Sequence, residues 1–257
     1  MIGLSDATMD IVSPHSESAP LLEVTVLHPR DAQAATAGEA DRLLLVAEPD
    51  RGGRSPEPAA VSAVLRETDL PVRVVLRVDD ALTLEANPHD ALVALAAAYA
   101  ELGAEGVAFG YLDRDNEIDR ASCQALADRL VPLPWTFHRA FDAAMEPRRA
   151  WRDIVGLPGL DAVATGGSVR GLASGAEELI ARITADPRLA ALVLASGGLQ
   201  ADSVPWLVRA GVRQFALAEE VRQDGSWTKA YVDTAAVRAW RLLIDDAHQR
   251  ALGVPVD

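Results

Sequence analysis

One stretch of the chain gathers groups that could move protons or hold an anion. In Trp135-Thr136-Phe137-His138-Arg139-Ala140-Phe141-Asp142, an imidazole, a guanidinium and a carboxylate fall within five positions. An imidazole titrates near neutrality, so His138 suits a general acid or base, or a metal ligand. A packed histidine tying its strand end to Asp142 or a nearby loop explains the same residue without a ligand. Arg139 and Asp142, three apart, read either as substrate-facing groups or as an internal ion pair shaping a turn. Elsewhere Arg77 is the best anion anchor, because a guanidinium fork matches a carboxylate or phosphate. Glu23 stands between Leu22 and Val24, where a carboxylate is costly to bury without a partner. A salt bridge from Arg77 to Glu23 is the ligand-free account of both.

Two glycine pairs follow apolar runs, Thr165-Gly166-Gly167-Ser168 and Ser196-Gly197-Gly198. Such turns can present backbone N–H groups to a phosphate. Thr165, Gly166, Ser196 and Gly197 therefore join Arg139 as candidate substrate-binding residues, with plain tight turns as the alternative. Glu219 and Glu220 would repel an anion in the last loop, and no second acidic partner marks them as a metal or glycosidase pair. Sulfur is scarce: Cys123, Met145 and the N-terminal Met1 and Met9. Cys123 shares a helical stripe with Leu126 and Leu130 and reads as a buried structural thiol. His138 with Met145 is the metal pair that the order of residues suggests. No zinc spacing, phosphate-binding Walker loop or Gly-x-Ser-x-Gly elbow is present.

These groups need elements to position them. From Leu21 onward, short apolar runs alternate with helical stretches. The strand candidates are Leu21–Leu27, Arg42–Ala47, Val72–Arg77, Gly106–Phe109, Trp135–His138, Ala162–Thr165, Leu192–Ala195 and Gln214–Leu217. Each suits a parallel strand buried on both faces. Pro29 and Asp31 open a first helix that Gly38 closes. Asn87-Pro88 and Gly103 bracket another, Asp119 caps Arg120–Leu130, Asp202 and Gly211 bracket the next, and Asp233–Arg250 ends the series. Eight strand–helix repeats predict an α/β chain folded as one (β/α)8 TIM barrel over residues 21–257, after an arm at residues 1–20. The first strand runs into Leu27-His28-Pro29-Arg30 without a glycine, which argues against a dinucleotide-binding sheet. In a barrel, chemistry gathers at the C-terminal strand ends, where His138, Arg77, Thr165 and Ser196 fall.

Thr136–Asp142 resembles the Thr-Phe-His-Arg-Ala-Phe-Asp signature of the CutC family. Gly106–Asp119, Leu22-Glu23-Val24, Ala40-Asp41-Arg42 and Gly52-Gly53 with Ser55-Pro56 are similar to other family motifs. The resemblance covers roughly Leu21 to Gly211. It implies a (β/α)8 barrel, a homodimer, a place in the cytoplasm and a link to copper homeostasis, with copper as the cofactor. The chain departs from the family pattern at several points. Leu44 and Val46 stand for Glu and Cys, Thr25 and Val26 for cysteines, Asp79 for a second arginine, and Ala216 and Leu217 for His-Ser. These changes remove soft ligands and polar groups from a copper or substrate site. Two other readings stay open: an enzyme acting on a small carboxylated or phosphorylated metabolite, with His138 as acid/base, Arg77 as clamp and Glu23 and Asp142 as further catalytic candidates, and a scaffold whose mouth is plugged by Leu44 and Leu217.

The remaining expectations come from composition. A net charge of −14, with no Lys/Arg run, argues against nucleic-acid partners. The longest apolar run, near Ala91–Tyr99, is too short to span a bilayer. A lone cysteine excludes an internal disulfide and suits a reducing compartment. The expected partner is a small molecule or metal ion.

Overall fold

The computed structural model describes residues 18–83 and 88–253, so residues 1–17 of the expected arm lie outside them. Eight parallel strands close into a barrel in chain order. They are β1 (Leu21–Val26), β2 (Arg42–Leu45), β3 (Val72–Val75), β4 (Gly106–Phe109), β5 (Trp135–Phe137), β6 (Leu160–Thr165), β7 (Val193–Ala195) and β8 (Gln214–Leu217). The surrounding helices are α1 (Pro29–Ala37), α2 (Pro58–Leu65), α3 (His89–Leu102), α4 (Arg120–Leu130), α5 (Pro147–Ile154), α6 (Leu172–Ala185), α7 (Val204–Arg209) and α8 (Thr234–Ala251). β1 pairs with both β2 and β8, which closes the ring.

Helix ends follow local chemistry. The Asp119 side chain accepts the Ser122 N–H at 3.0 Å, and Asp233 accepts those of Ala235 and Ala236 at 2.7 and 3.0 Å. Each satisfies donors that the first helical turn leaves free. Gly103 ends α3 at φ +104°, a conformation that a side chain would strain.

Alternation along the strands divides the core in two. Outward residues such as Leu22, Val24, Val107, Trp135, Phe137 and Phe215 pack under the helices in one continuous apolar layer. Inside the barrel, Leu44, Val46, Val75 and Ala108 form one small cluster, and Ala162, Ala164, Leu194 and Ala216 another. Leu217 belongs to the outer layer and is fully buried there, so it does not plug the mouth.

The floor of the barrel is ionic. Arg73 Nη1 donates to Thr136 Oγ1 and Asp161 Oδ1, both at 2.6 Å, and its Nε reaches Glu105 Oε2 at 3.0 Å. Beside it Arg42 Nε donates to Glu23 Oε2 at 2.6 Å, between residues directly opposite in the β1–β2 register. Glu23 therefore pairs with its strand neighbour and not with Arg77, because its place early in β1 sets it well below the strand ends. A second buried pair latches the two ends of the barrel's sequence. Asp31 Oδ2 and Arg222 Nη2 lie 2.7 Å apart, and both side chains are wholly buried. Asp31 also accepts the N–H groups of Leu27 and Val232, both at 2.9 Å.

Candidate functional site: the barrel mouth

Continuing the strand alternation past the ladder places Arg77, His138 and Ser196 on the inward side at the mouth. Thr136 bonds Arg73 inside the barrel, so His138, two residues on, shares its face. The His138 N–H is held by Phe109 O at 3.1 Å, and Nδ1 accepts the Ala140 N–H at 3.2 Å. With Nδ1 accepting, the neutral ring carries its proton on Nε2. Burial, reinforced by the nearby Arg77 charge, lowers the pKa of His138 to about 4. At neutral pH it is therefore an uncharged donor.

Arg77 supplies field more than grip. Its Nε, Nη1 and Nη2 donate to the carbonyls of Asp79 (2.9 Å), Gly52 (2.8 Å) and Asp80 (2.6 Å), and Nη1 also approaches Gly53 O at 3.3 Å. The guanidinium thus braids the loops after β2 and β3. Ser196 contributes a buried hydroxyl whose Oγ has no hydrogen-bond partner. Its N–H is held by Thr165 O at 3.0 Å.

The structure brings the remaining candidates together around Asp142, outside the mouth. Asp142 accepts from Arg139 Nε and Nη2 at 3.0 and 2.9 Å, from Thr165 Oγ1 at 2.5 Å and from the Gly166 N–H at 2.9 Å. The Thr165 hydroxyl in turn accepts the Gly167 N–H at 2.9 Å. Asp142 and Thr165 line a cavity of about 30 Å³ with Phe141, Trp151 and Leu179, on the helix side of the sheet. Arg139 lies against Gly197, where a Cβ would collide with the guanidinium and φ is +84°. Arg139, Asp142, Thr165, Gly166 and Gly197 thus form a knot joining the loops after β5, β6 and β7.

The last loop behaves likewise. Glu220 accepts the N–H groups of Leu199 and Ala218 at 2.9 and 2.6 Å, whereas Glu219 accepts Trp227 Nε1 at 2.7 Å. The adjacent carboxylates point to different partners.

The donor set does not fit a resident copper(I) ion. The sole thiol, Cys123, is buried, and desolvation pushes its pKa up to about 12, so thiolate is scarce. Met145 is 68% exposed on the loop before α5, whereas His138 faces the mouth. A metal at His138 Nε2 would force a proton onto Nδ1, against the Ala140 N–H. Among the described residues, no group of three or more His, Cys, Asp or Glu is placed to hold a metal.

Sequence reasoning missed Arg42, Arg73 and the Asp31–Arg222 latch. The signal for the first two was the one that singled out Glu23: a charge inside an apolar strand, as in Val72-Arg73-Val74.

The described residues form an α/β barrel of eight parallel strands, with an ionic floor and a neutral imidazole at its mouth. The CutC family model matches residues 20–221, and the chain belongs to the CutC family. It is 31% identical over 199 residues to a CutC family protein of Klebsiella pneumoniae strain 342, covering 76% of this chain and 78% of that one. It is 33% identical over 183 residues to the human copper homeostasis protein cutC homolog, covering 70% of this chain and 65% of the human protein. A solved CutC structure from Streptococcus agalactiae superposes with a TM-score of 0.66 at 22% identity, over 77% of this chain and 97% of that chain. This last likeness concerns the fold. Among the described residues, no helix is long and apolar enough to cross a membrane.

Proposed function

We propose that this chain has a CutC-like role in copper homeostasis, exercised in the cytoplasm as a homodimer. In this reading its working surface is the mouth around His138, without a copper centre of its own. The observation that carries it is His138 just past β5, fixed at the mouth with its N–H on Phe109 O and its Nδ1 accepting the Ala140 N–H, inside the segment that resembles the family signature. With Ser196, it offers the mouth hydrogen-bonding groups in place of soft metal ligands. A relative's name supplies the copper homeostasis context. The lone, un-ionised Cys123 is consistent with a reducing compartment.

The enzyme reading has less support. An Arg77 clamp would have to abandon bonds to main-chain carbonyls. A histidine with a pKa near 4 is also a poor general base at neutral pH.

The test is an anaerobic Cu(I) competition titration of reduced protein against a colorimetric chelator, with His138→Ala and Cys123→Ser in parallel. The expected result is no stoichiometric competition from any of the three proteins. Stoichiometric binding weakened by either substitution would overturn the absence of a copper centre.

A further inference from the structure

Between α5 and α6 the outer helix layer is open. Most neighbouring helices pack side by side around the ring, but α5 makes few close approaches to α4 or α6. The space beside α6 is a groove of about 610 Å³, within the ~300–1,000 Å³ typical of small-molecule sites. Each wall is one helix stripe at i, i+3, i+4, i+7 spacing: Arg148, Trp151, Arg152 and Val155 on α5 and just beyond it, and Glu178, Ala181, Arg182 and Ala185 on α6. The Trp151 edge, Leu189, Val155 and the two alanines make an apolar floor.

The rim is cationic on a molecule whose net charge is −14. Arg182 is engaged by Glu178, and Arg188 by Asp186 at 2.8 Å. Arg148 and Arg152 are exposed, and neither has a carboxylate within ion-pair reach among the described residues. Neighbouring Arg149 has one, at 3.4 Å from Asp153. Two uncompensated guanidinium groups above an apolar floor select a ligand with an anionic head and an apolar body.

We propose that the α5–α6 groove is a binding site for a small amphipathic anion, an acyl or aryl carboxylate, held by Arg148 and Arg152 with its apolar body against Trp151 and Leu189. The site lies on the outer helix layer, apart from the His138 mouth, and does not depend on the role assigned to that mouth.

Decanoate is the probe, with decanol and decyltrimethylammonium as uncharged and cationic counterparts, titrated calorimetrically into the full-length protein. One decanoate per chain is expected, with both counterparts at least about tenfold weaker, as loss or reversal of a paired charge requires. Arg148→Glu with Arg152→Glu is expected to weaken decanoate about tenfold or more. The charge-matched control, Arg66→Glu just after α2 with Arg209→Glu on α7, neither of which lines the groove, is expected to bind like the unaltered protein. All four arginines are on the surface, and a single cooperative melting transition at the same temperature in both double variants verifies folding of each. Absence of decanoate binding, equal affinity for the cation, or equal weakening by both double variants would overturn the site. Binding of an acidic leucine-containing peptide but not of decanoate would also overturn it, and would make the groove a protein-docking surface.

Discussion

His138 is uncharged in the folded chain because burial and the Arg77 field oppose its protonation, which moves its pKa from the ordinary 6.5 to about 4. The unfolded chain then binds more protons than the native one between those two values. By linkage, its contribution to stability is complete above about pH 6.5 and is lost as pH falls toward 4. Urea unfolding from pH 7 to pH 4.5 is expected to show a stability loss that is smaller in His138→Gln, while the His138 ring resonance in NMR stays that of neutral imidazole down to about pH 5. Cys123 provides a second residue-scale expectation. A buried thiol with its pKa near 12 reacts only when the fold opens. An aromatic disulfide reagent should modify Cys123 at the global unfolding rate, and urea should accelerate it. The strand position of His138 and the stripe holding Cys123 were both legible in the sequence. The partners of Glu23 and Arg77 were not, since spacing along a chain says nothing about depth inside a barrel. Glu23 sits at floor level, and Arg77 answers to carbonyls that carry no side-chain signature.

The loops after β5, β6 and β7 depend on one carboxylate. Asp142 is almost wholly buried and accepts four hydrogen bonds, two of them from Arg139. Asp142→Ala would leave Arg139 only carbonyl acceptors, chiefly that of Ser168, and deprive Thr165 and Gly166 of their acceptor, a loss of roughly 3 kcal/mol in urea unfolding. Gly197→Ala is expected to lose about 2 kcal/mol, because it combines a positive φ with a collision against Arg139. Much of this element-scale arrangement could be read in advance. All eight strands occur where apolar runs bounded by turns predicted them, and β4 and β8 have the expected limits. The differences at β2, β3 and β5 share a cause: Val46, Ala47, Arg77 and His138 continue their strands but lie beyond the regular ladder, on the rim. The sequence offers an Arg139–Asp142 ion pair as one reading, but the bonds that tie Thr165 and Gly166 to Asp142 have no sequence signal. The outward orientation of this cluster follows from a parity that only the folded register reveals, with Ala164 inside and Thr165 outside.

Charge governs the whole molecule as well as its parts. At −14 the chain repels itself in dilute buffer, and screening relieves that repulsion. Raising sodium chloride from about 10 mM to 200 mM is expected to stabilise the fold by about 1 kcal/mol, seen calorimetrically as a rise of roughly 2–4 °C. The composition foretold this excess but not its distribution. Some cations have been drawn inward, Arg42 and Arg73 to the floor and Arg222 under the last loop, while others such as Arg66 and Arg209 stay on the surface. The Asp31–Arg222 latch carries one implication for biosynthesis. Its two members are 191 residues apart, so a ribosome exposes Asp31 long before it reaches Arg222. During most of elongation that aspartate has the local Leu27 N–H but no guanidinium partner, and no cation of the first strand–helix unit pairs with it. Release of the final segment is then the event that permits closure, and nascent chains arrested before Arg222 should stay protease-sensitive while those extended past α8 become resistant.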